Sequence, residues 1–371
     1  MSVKIMMSVK MKHSLKENKK MVQEAIVQKE RINKRDMLST GSTLLNLACS
    51  GFSKGGFLKG KYYFIVGDSI SGKTFLSLTC LAEAVRNSAF DHYRLIYDDG
   101  EDGALMDIEK FFGSKVLERI EPPDMKDGFP VFSETIEEFY YHAYDAVEAK
   151  KPFIYILDSM DSLSSKSEGD KFQDQKVAHE KGRQAAGTMT DGKAKVNSMH
   201  IRHLLNGIRR QNSILIILNQ TRDNMGGGFE KKTRSGGKAL RFYATLEIWS
   251  SVKGRIKKHV RGKPRQLGVR SKVKVKKNRI TGIESEVEIP IYHSYGIDDL
   301  ESCILYLCEE KWWIKKGRSI VAQEFDVKMT QEKLIQYIEK NNLEKKLRVL
   351  VGKCWNEIAK ECELKRKPRY E

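Results

Sequence analysis

Apolar positions along this chain follow two rhythms. Four short runs are apolar almost throughout and bounded by polar residues: Tyr62–Val66, Arg94–Asp98, Phe153–Asp158 and Ser213–Asn219. Continuous runs of that length predict strands buried on both faces. Elsewhere the spacing changes to threes and fours, and Leu76, Leu78, Leu81, Ala84 and Val85 predict a mostly buried helix after Thr74. Strands alternating with helices predict an α/β fold around a mostly parallel central sheet. Lys272–Val275 and Glu284–Ile291 instead alternate apolar with polar, which predicts antiparallel edge strands.

The pattern changes character near residue 299. A helix (Asp299–Glu310), an aromatic hairpin-like piece (Lys311–Phe325) and two further helices (Gln331–Lys340, Glu344–Glu363) predict a small appended α+β domain over 299–371. At the other end, Ser14 and Glu17 fit a capping box, and Met21, Val22, Ala25 and Ile26 follow at helical spacing. A short amphipathic helix with no core of its own docks on something else, so 1–37 is expected to be a separable basic arm ahead of a core over 38–298. Met-Ser-Val-Lys at 1–4 recurs at 7–10, leaving Met7 or Met11 as alternative starts.

Composition narrows the class. No apolar run reaches the eighteen or so residues that a spanning helix needs. The N-terminus lacks the apolar stretch of a signal peptide. Six scattered cysteines form no C-x-x-C pair and are expected to be reduced thiols of a cytoplasmic protein, not a disulfide framework or zinc site. The net charge is +18 and unevenly placed. Thirteen Lys/Arg and no acid lie between Lys253 and Arg279, and the first 36 residues carry ten basic against four acidic side chains. The rest is nearly neutral, so these two segments point to a polyanionic partner, nucleic acid before others.

Candidate chemistry centres on Gly67-Asp68-Ser69-Ile70-Ser71-Gly72-Lys73-Thr74, a G-x-x-x-x-G-K-[ST] loop between a predicted strand and helix. Such a loop seats nucleotide phosphates on backbone N–H groups at a helix N-terminus. Its lysine reaches the terminal phosphates and its threonine ligates magnesium. Asp158 ends an apolar strand, the usual way to complete the metal shell. The strand at 94–98 ends in several acids, Asp98, Asp99 and Glu101, any of which could accept a proton from an attacking water. Asn219-Gln220 places amides where a terminal phosphate would lie. Two long polar segments follow strand ends: 221–238, glycine-rich, with Arg222, Lys231, Lys232, Arg234 and Lys238, and 164–197, with Lys166, Lys171, Lys181 and Arg183. Neither has the apolar content to pack, and both are expected to be mobile ligand-binding loops.

With these pieces in order, the chain resembles the RecA-type recombinases over nearly its whole length. Ser39-Thr40-Gly41-Ser42, the phosphate loop, Asp99–Glu101, Leu157-Asp158-Ser159, Asn219-Gln220 and the run from Gly236 to Ala244 occur in the family's order. The long Ser/Lys-rich segment after Asp158 and the Tyr295-Gly296-Ile297-Asp298 turn are similar to T4-type phage recombinases. The resemblance implies a RecA-like P-loop core that binds ATP and Mg2+ and hydrolyses ATP in response to DNA. Lys73, Thr74 and Asp158 would hold phosphates and metal, Glu101 would be the general base, and Gln220 the phosphate sensor. The segments 164–197 and 221–238 would be the two DNA-binding loops.

The resemblance further implies that Lys277 and Arg279 act on a neighbour's nucleotide, as an arginine finger does. The protein would form a helical filament on single-stranded DNA, pair it with duplex DNA in homologous recombination and repair, and draw on a single-strand-binding or loader protein. It would work at the nucleoid, or in a host's cytoplasm if phage-encoded. The ending Lys365-Arg366-Lys367-Pro368-Arg369 is basic where bacterial members are acidic, which implies stronger DNA binding. The competing expectations are a ring-forming helicase on the same core, and a mediator that uses ATP as a structural ligand.

Overall fold

The computed structural model describes residues 37–104, 106–181, 192–223, 232–234, 237–367 and 369. The expected arm over 1–37 falls outside them except for Met37, as do Arg183 and Lys231.

A ten-stranded sheet organises the molecule. Its strands are β1 (Lys61–Gly67), β2 (Arg94–Asp98), β3 (Ile120–Glu121), β4 (Phe153–Leu157), β5 (Ile214–Asp223), β6 (Lys232–Arg234), β7 (Leu246–Val260), β8 (Lys263–Asn278), β9 (Ser285–Tyr292) and β10 (Gly296–Ile297). The order is β10-β9-β8-β7-β1-β5-β4-β2-β3, with β6 paired to β5. From β7 to β3 every neighbour runs parallel, while β8, β9, β10 and β6 add antiparallel.

The parallel strands are apolar on both sides because both faces are covered. On β1, Tyr63 and Ile65 join one core cluster, and Tyr62, Phe64 and Val66 join the other. The first face packs on helix α1 (Thr43–Ser50) and helix α2 (Lys73–Val85). The second packs on α3 (Ile136–Glu148) and α5 (Gly192–Arg210), with the intervening α4 (Lys166–Glu180) making no buried contact. Each fully buried Leu, Ile or Phe contributes about 1.5–3 kcal/mol, so this two-sided burial dominates the stability of the core.

Two expectations need correction. The segment 164–197 is not one loop. Ser165 accepts from Glu168 N and Glu168 answers with its carboxylate on Ser165 N, a capping box that starts the fifteen-residue helix α4. The polar composition read as unstructured is that of an exposed helix. The second correction concerns the edge strands, which extend well past Lys272–Val275: β7 and β8 form one long antiparallel hairpin.

After β10 come α7 (Asp299–Glu309), a three-stranded antiparallel sheet of β11 (Ile314–Lys316), β12 (Ser319–Ala322) and β13 (Val327–Thr330), then α8 (Gln331–Lys340) and α9 (Glu344–Glu361). Cys303, Ile304, Leu307, Trp313, Leu347 and Val351 are buried in the first core cluster. No helix of the described residues is long and apolar enough to cross a membrane.

Candidate nucleotide and nucleic-acid site

Parallel strands end together, and that edge gathers the site. β1 runs into the loop Gly67–Gly72, and α2 begins at Lys73 with Gly72 at its N-cap, in the left-handed region at φ 85°. The loop has no room for side chains at its glycines. A Cβ on Gly67 would stand 2.4 Å from the Ser250 carbonyl of β7, and one on Gly72 would stand 2.3 Å from Ile291 Cδ1. Serines from two strands brace the loop: Ser250 and Ser271 both donate to the Ser71 carbonyl, at 2.8 and 2.7 Å. Ile70 and Ser69 face outward, Ile70 at 75% exposure.

The Lys73 ammonium arches over the loop, donating to the carbonyls of Gly67 at 3.0 Å and Asp68 at 2.9 Å. Burial lowers its pKa, and the charges of Glu101, Asp158, Asp68 and Asp161 act the other way. Beside it, Thr74 Oγ1 donates to Asp158 Oδ2 at 2.6 Å. Thr74 is in the first turn of α2 and Asp158 follows β4, so the sheet brings together two residues 84 apart in sequence. Tyr97 donates to the same carboxylate oxygen at 3.0 Å. Burial nevertheless pushes the Asp158 pKa up to about 6, with the charge of Glu101 adding and the two hydrogen bonds opposing.

The acids after β2 separate by environment. Asp98 is fully buried and accepts from the Ser133 N–H and hydroxyl and from Tyr155, so it is structural. Asp99 caps its own turn through the N–H groups of Gly103 and Ala104. Glu101 alone of the three faces the site. One of its oxygens accepts from the Ser159 hydroxyl and from Gln220 Nε2, the latter at 3.0 Å. The catalytic candidates Lys73, Glu101 and Gln220 and the metal candidates Thr74 and Asp158 therefore share one edge.

That edge continues into the nucleic-acid candidates. Thr221, next to Gln220, donates to Asp68 Oδ1 at 2.5 Å, tying β5 to the phosphate loop. Arg222 pairs with Asp161 at 3.0 Å. β6, carrying Lys232 and Arg234, returns antiparallel onto Thr221–Asp223. Lys238 opens helix α6 (Lys238–Tyr243). On the other segment Lys166 starts α4 with its ammonium 5.0 Å from the Tyr141 ring, Lys171 lies within α4, and Lys181 is its C-cap.

Lys277 and Arg279 are not brought to this chain's own phosphate loop. Lys277 pairs with Glu247 and Leu246 pairs with Tyr63, near the start of β1, whereas the loop leaves its far end beside Ser250. That is about 10–15 Å away along the strands. Instead Lys277 donates to the Arg241 and Phe242 carbonyls at 2.6 and 2.9 Å, and Arg279 to Phe242 at 2.8 Å. Both cations cap the C-terminal end of α6, where the helix dipole favours positive charge.

Pattern reading missed Tyr97, Ser159, Thr221, Ser250 and Ser271. Each is a hydroxyl, Tyr97, Ser159 and Thr221 near a strand end and Ser250 and Ser271 inside the neighbouring strands β7 and β8, and its partner is set by which strands lie side by side. Only Tyr97, one residue before an acid-rich strand end, and Ser159, next to Asp158 in the quoted motif, carried any local hint.

A phosphate loop at the carboxyl edge of a mostly parallel sheet, with Thr74 and Asp158 joined across it, defines a P-loop protein with a RecA-like core. The family model for the RecA N-terminal domain matches residues 154–298. The chain is 25% identical over 328 residues to protein RecA of Malacoplasma penetrans, covering 87% of this chain and 89% of that protein. It is 29% identical over 282 residues to protein RecA of Bartonella bacilliformis (75% and 71%) and over 319 residues to that of Prochlorococcus marinus strain MIT 9303 (84% and 74%). The resemblance to the RecA-type recombinases thus holds along most of the chain.

Proposed function

We propose that this protein is an ATP-dependent DNA recombinase that assembles on single-stranded DNA and promotes homologous pairing and strand exchange. The observation that carries the reading is the junction of Glu101, Gln220 and Thr221. One strand end touches the candidate base, the phosphate loop and the first residues of the glycine-rich segment.

The donor set suits magnesium, since Thr74 and Asp158 offer one hydroxyl and one carboxylate, hard oxygen ligands that leave room for phosphates and water. Bound there, the ion would neutralise charge on the phosphates. Lys73 would take the terminal phosphates with its ammonium. Glu101 would accept the proton of the attacking water, a role worth 10²–10⁴-fold in comparable enzymes. Gln220 occupies one Glu101 oxygen. Turning that amide to a terminal phosphate oxygen would free the carboxylate and shift Thr221 with the strand beyond it, coupling nucleotide to DNA affinity.

Lys277 and Arg279, distant from their own loop, would serve a neighbouring subunit's nucleotide. Residues 1–37 would join subunits into a helical filament in the cytoplasm, and 299–371 would be a small C-terminal domain that shares the core of the sheet's first face. The test is ATP hydrolysis with and without single-stranded DNA, for wild type and Lys277→Ala. The expected result is strong stimulation by DNA that the variant loses. Hydrolysis indifferent to DNA would overturn the recombinase reading. Stimulation that survives Lys277→Ala would remove only the shared site.

A further inference from the structure

The hairpin of β7 and β8 outgrows the sheet. β7 pairs with β1 only as far as Ser250, and β8 pairs with β9 only from Gly268 onward. Past the Ile256–Gly268 pair, residues 257–266 pair as strand only with each other, a two-stranded ribbon reaching about 15 Å outward. Among the described residues, only Gln266 at its base hydrogen-bonds to a residue of another segment, His293. All ten are exposed. Five are cations, Lys257, Lys258, Arg261, Lys263 and Arg265, and none is acidic.

Charge pairing differs along the hairpin. Near the sheet, Lys253 pairs with Glu288, Lys272 with Glu286 and Lys274 with Glu284. Among the described residues, none of the five outer cations forms an ion pair. Their placement also works against the hairpin. Lys258 lies directly opposite Arg265, where like charges repel. The two-residue turn has φ 52° at Arg261 and 74° at Gly262, and Asn or Asp suits the first position far better than Arg. An isolated two-stranded hairpin is marginal in water even without such repulsion. Cations kept at cost to the ribbon indicate a polyanion that offsets it.

We propose that this ribbon is a duplex-DNA contact, separate from the two loop segments, that enters or straddles the major groove. That groove is about 12 Å wide and admits a two-stranded ribbon. Phosphates line both its rims, and the ribbon carries Lys258, Lys263 and Arg265 on one face and Lys257 on the other. The inference rests on the recombinase reading and adds a dedicated place for the second, double-stranded partner.

The test uses the full chain with ATP and magnesium, a fluorescent duplex and a fluorescent single strand. The variant combines Lys257→Gln, Lys258→Gln, Arg261→Asn, Lys263→Gln and Arg265→Gln, with Asn suited to the turn. Duplex affinity is expected to fall at least tenfold, and the salt slope for duplex binding to flatten by about 3–4. Single-strand affinity and DNA-free ATP hydrolysis should stay within about twofold of wild type. A control exchanging Lys and Arg at the five positions should keep duplex binding, which separates charge from folding. Unchanged duplex affinity and slope would overturn the ribbon and leave the recombinase reading standing. Loss confined to single-strand binding would also overturn it. Wild type that binds neither form of DNA would overturn both readings.

Discussion

Asp158 concentrates a conflict between folding and chemistry. Its carboxylate is 4% exposed, and burial holds its pKa near 6 against an ordinary 3.8. The folded state therefore binds the proton more tightly than the unfolded state. Stability from this group is complete below the unfolded value and is lost as pH rises through about 6, by roughly 2–3 kcal/mol in all. Asp158→Asn keeps an acceptor for Thr74 and Tyr97 without the buried charge. In EDTA and without nucleotide, the variant should melt several degrees above wild type at pH 8 and show little advantage at pH 5, while with ATP and magnesium it should not hydrolyse ATP. Equal melting curves at pH 8 would show that neighbouring cations, Lys73 foremost, already compensate the carboxylate.

Elements were legible in the sequence to the extent that apolar pattern decides them. The four central strands and α2 lie where continuous or helically spaced apolar residues put them, because burial on both faces leaves one arrangement of Tyr62–Val66 or Phe153–Leu157. The phosphate loop, Asp158 and Gln220 were legible for a related reason: each sits where the parallel pairing of a central strand ends. What pattern could not give is α4, whose residues bury nothing, and the β7–β8 ribbon, whose outer half is likewise all surface. The choice among Asp98, Asp99 and Glu101 also waited for three dimensions, since Ser133 and Tyr155, which claim Asp98, are distant in sequence. Because α4 has no buried residue, its amides should exchange with deuterium within seconds in the free protein. Single-stranded DNA with ATP should slow them at least tenfold if 164–197 contacts DNA. Exchange unchanged by DNA would remove that segment from the interface.

At the scale of the whole molecule, the proposed catalytic parts sit on different strands, Glu101 after β2 and Lys277 on β8, on opposite sides of β1. A subunit with Glu101→Gln and one with Lys277→Ala should each be nearly inactive alone. Mixed one to one, they form some junctions that join an intact Glu101 to an intact Lys277, about a quarter if mixing is random in a head-to-tail array. Recovery of a comparable fraction of wild-type ATPase is the expected outcome, and no recovery would place all catalytic groups within one chain. One consequence concerns Lys277 and Arg279 at the end of α6. In any open chain of such subunits, the first and last members differ. On the proposed shared site, one would have a nucleotide that no neighbour's cations attend, and the other would keep its cations on the Arg241 and Phe242 carbonyls. Such an array carries a direction in its chemistry as well as its shape. Nucleotide at one tip should outlast nucleotide everywhere else, giving growth and loss at opposite ends different clocks.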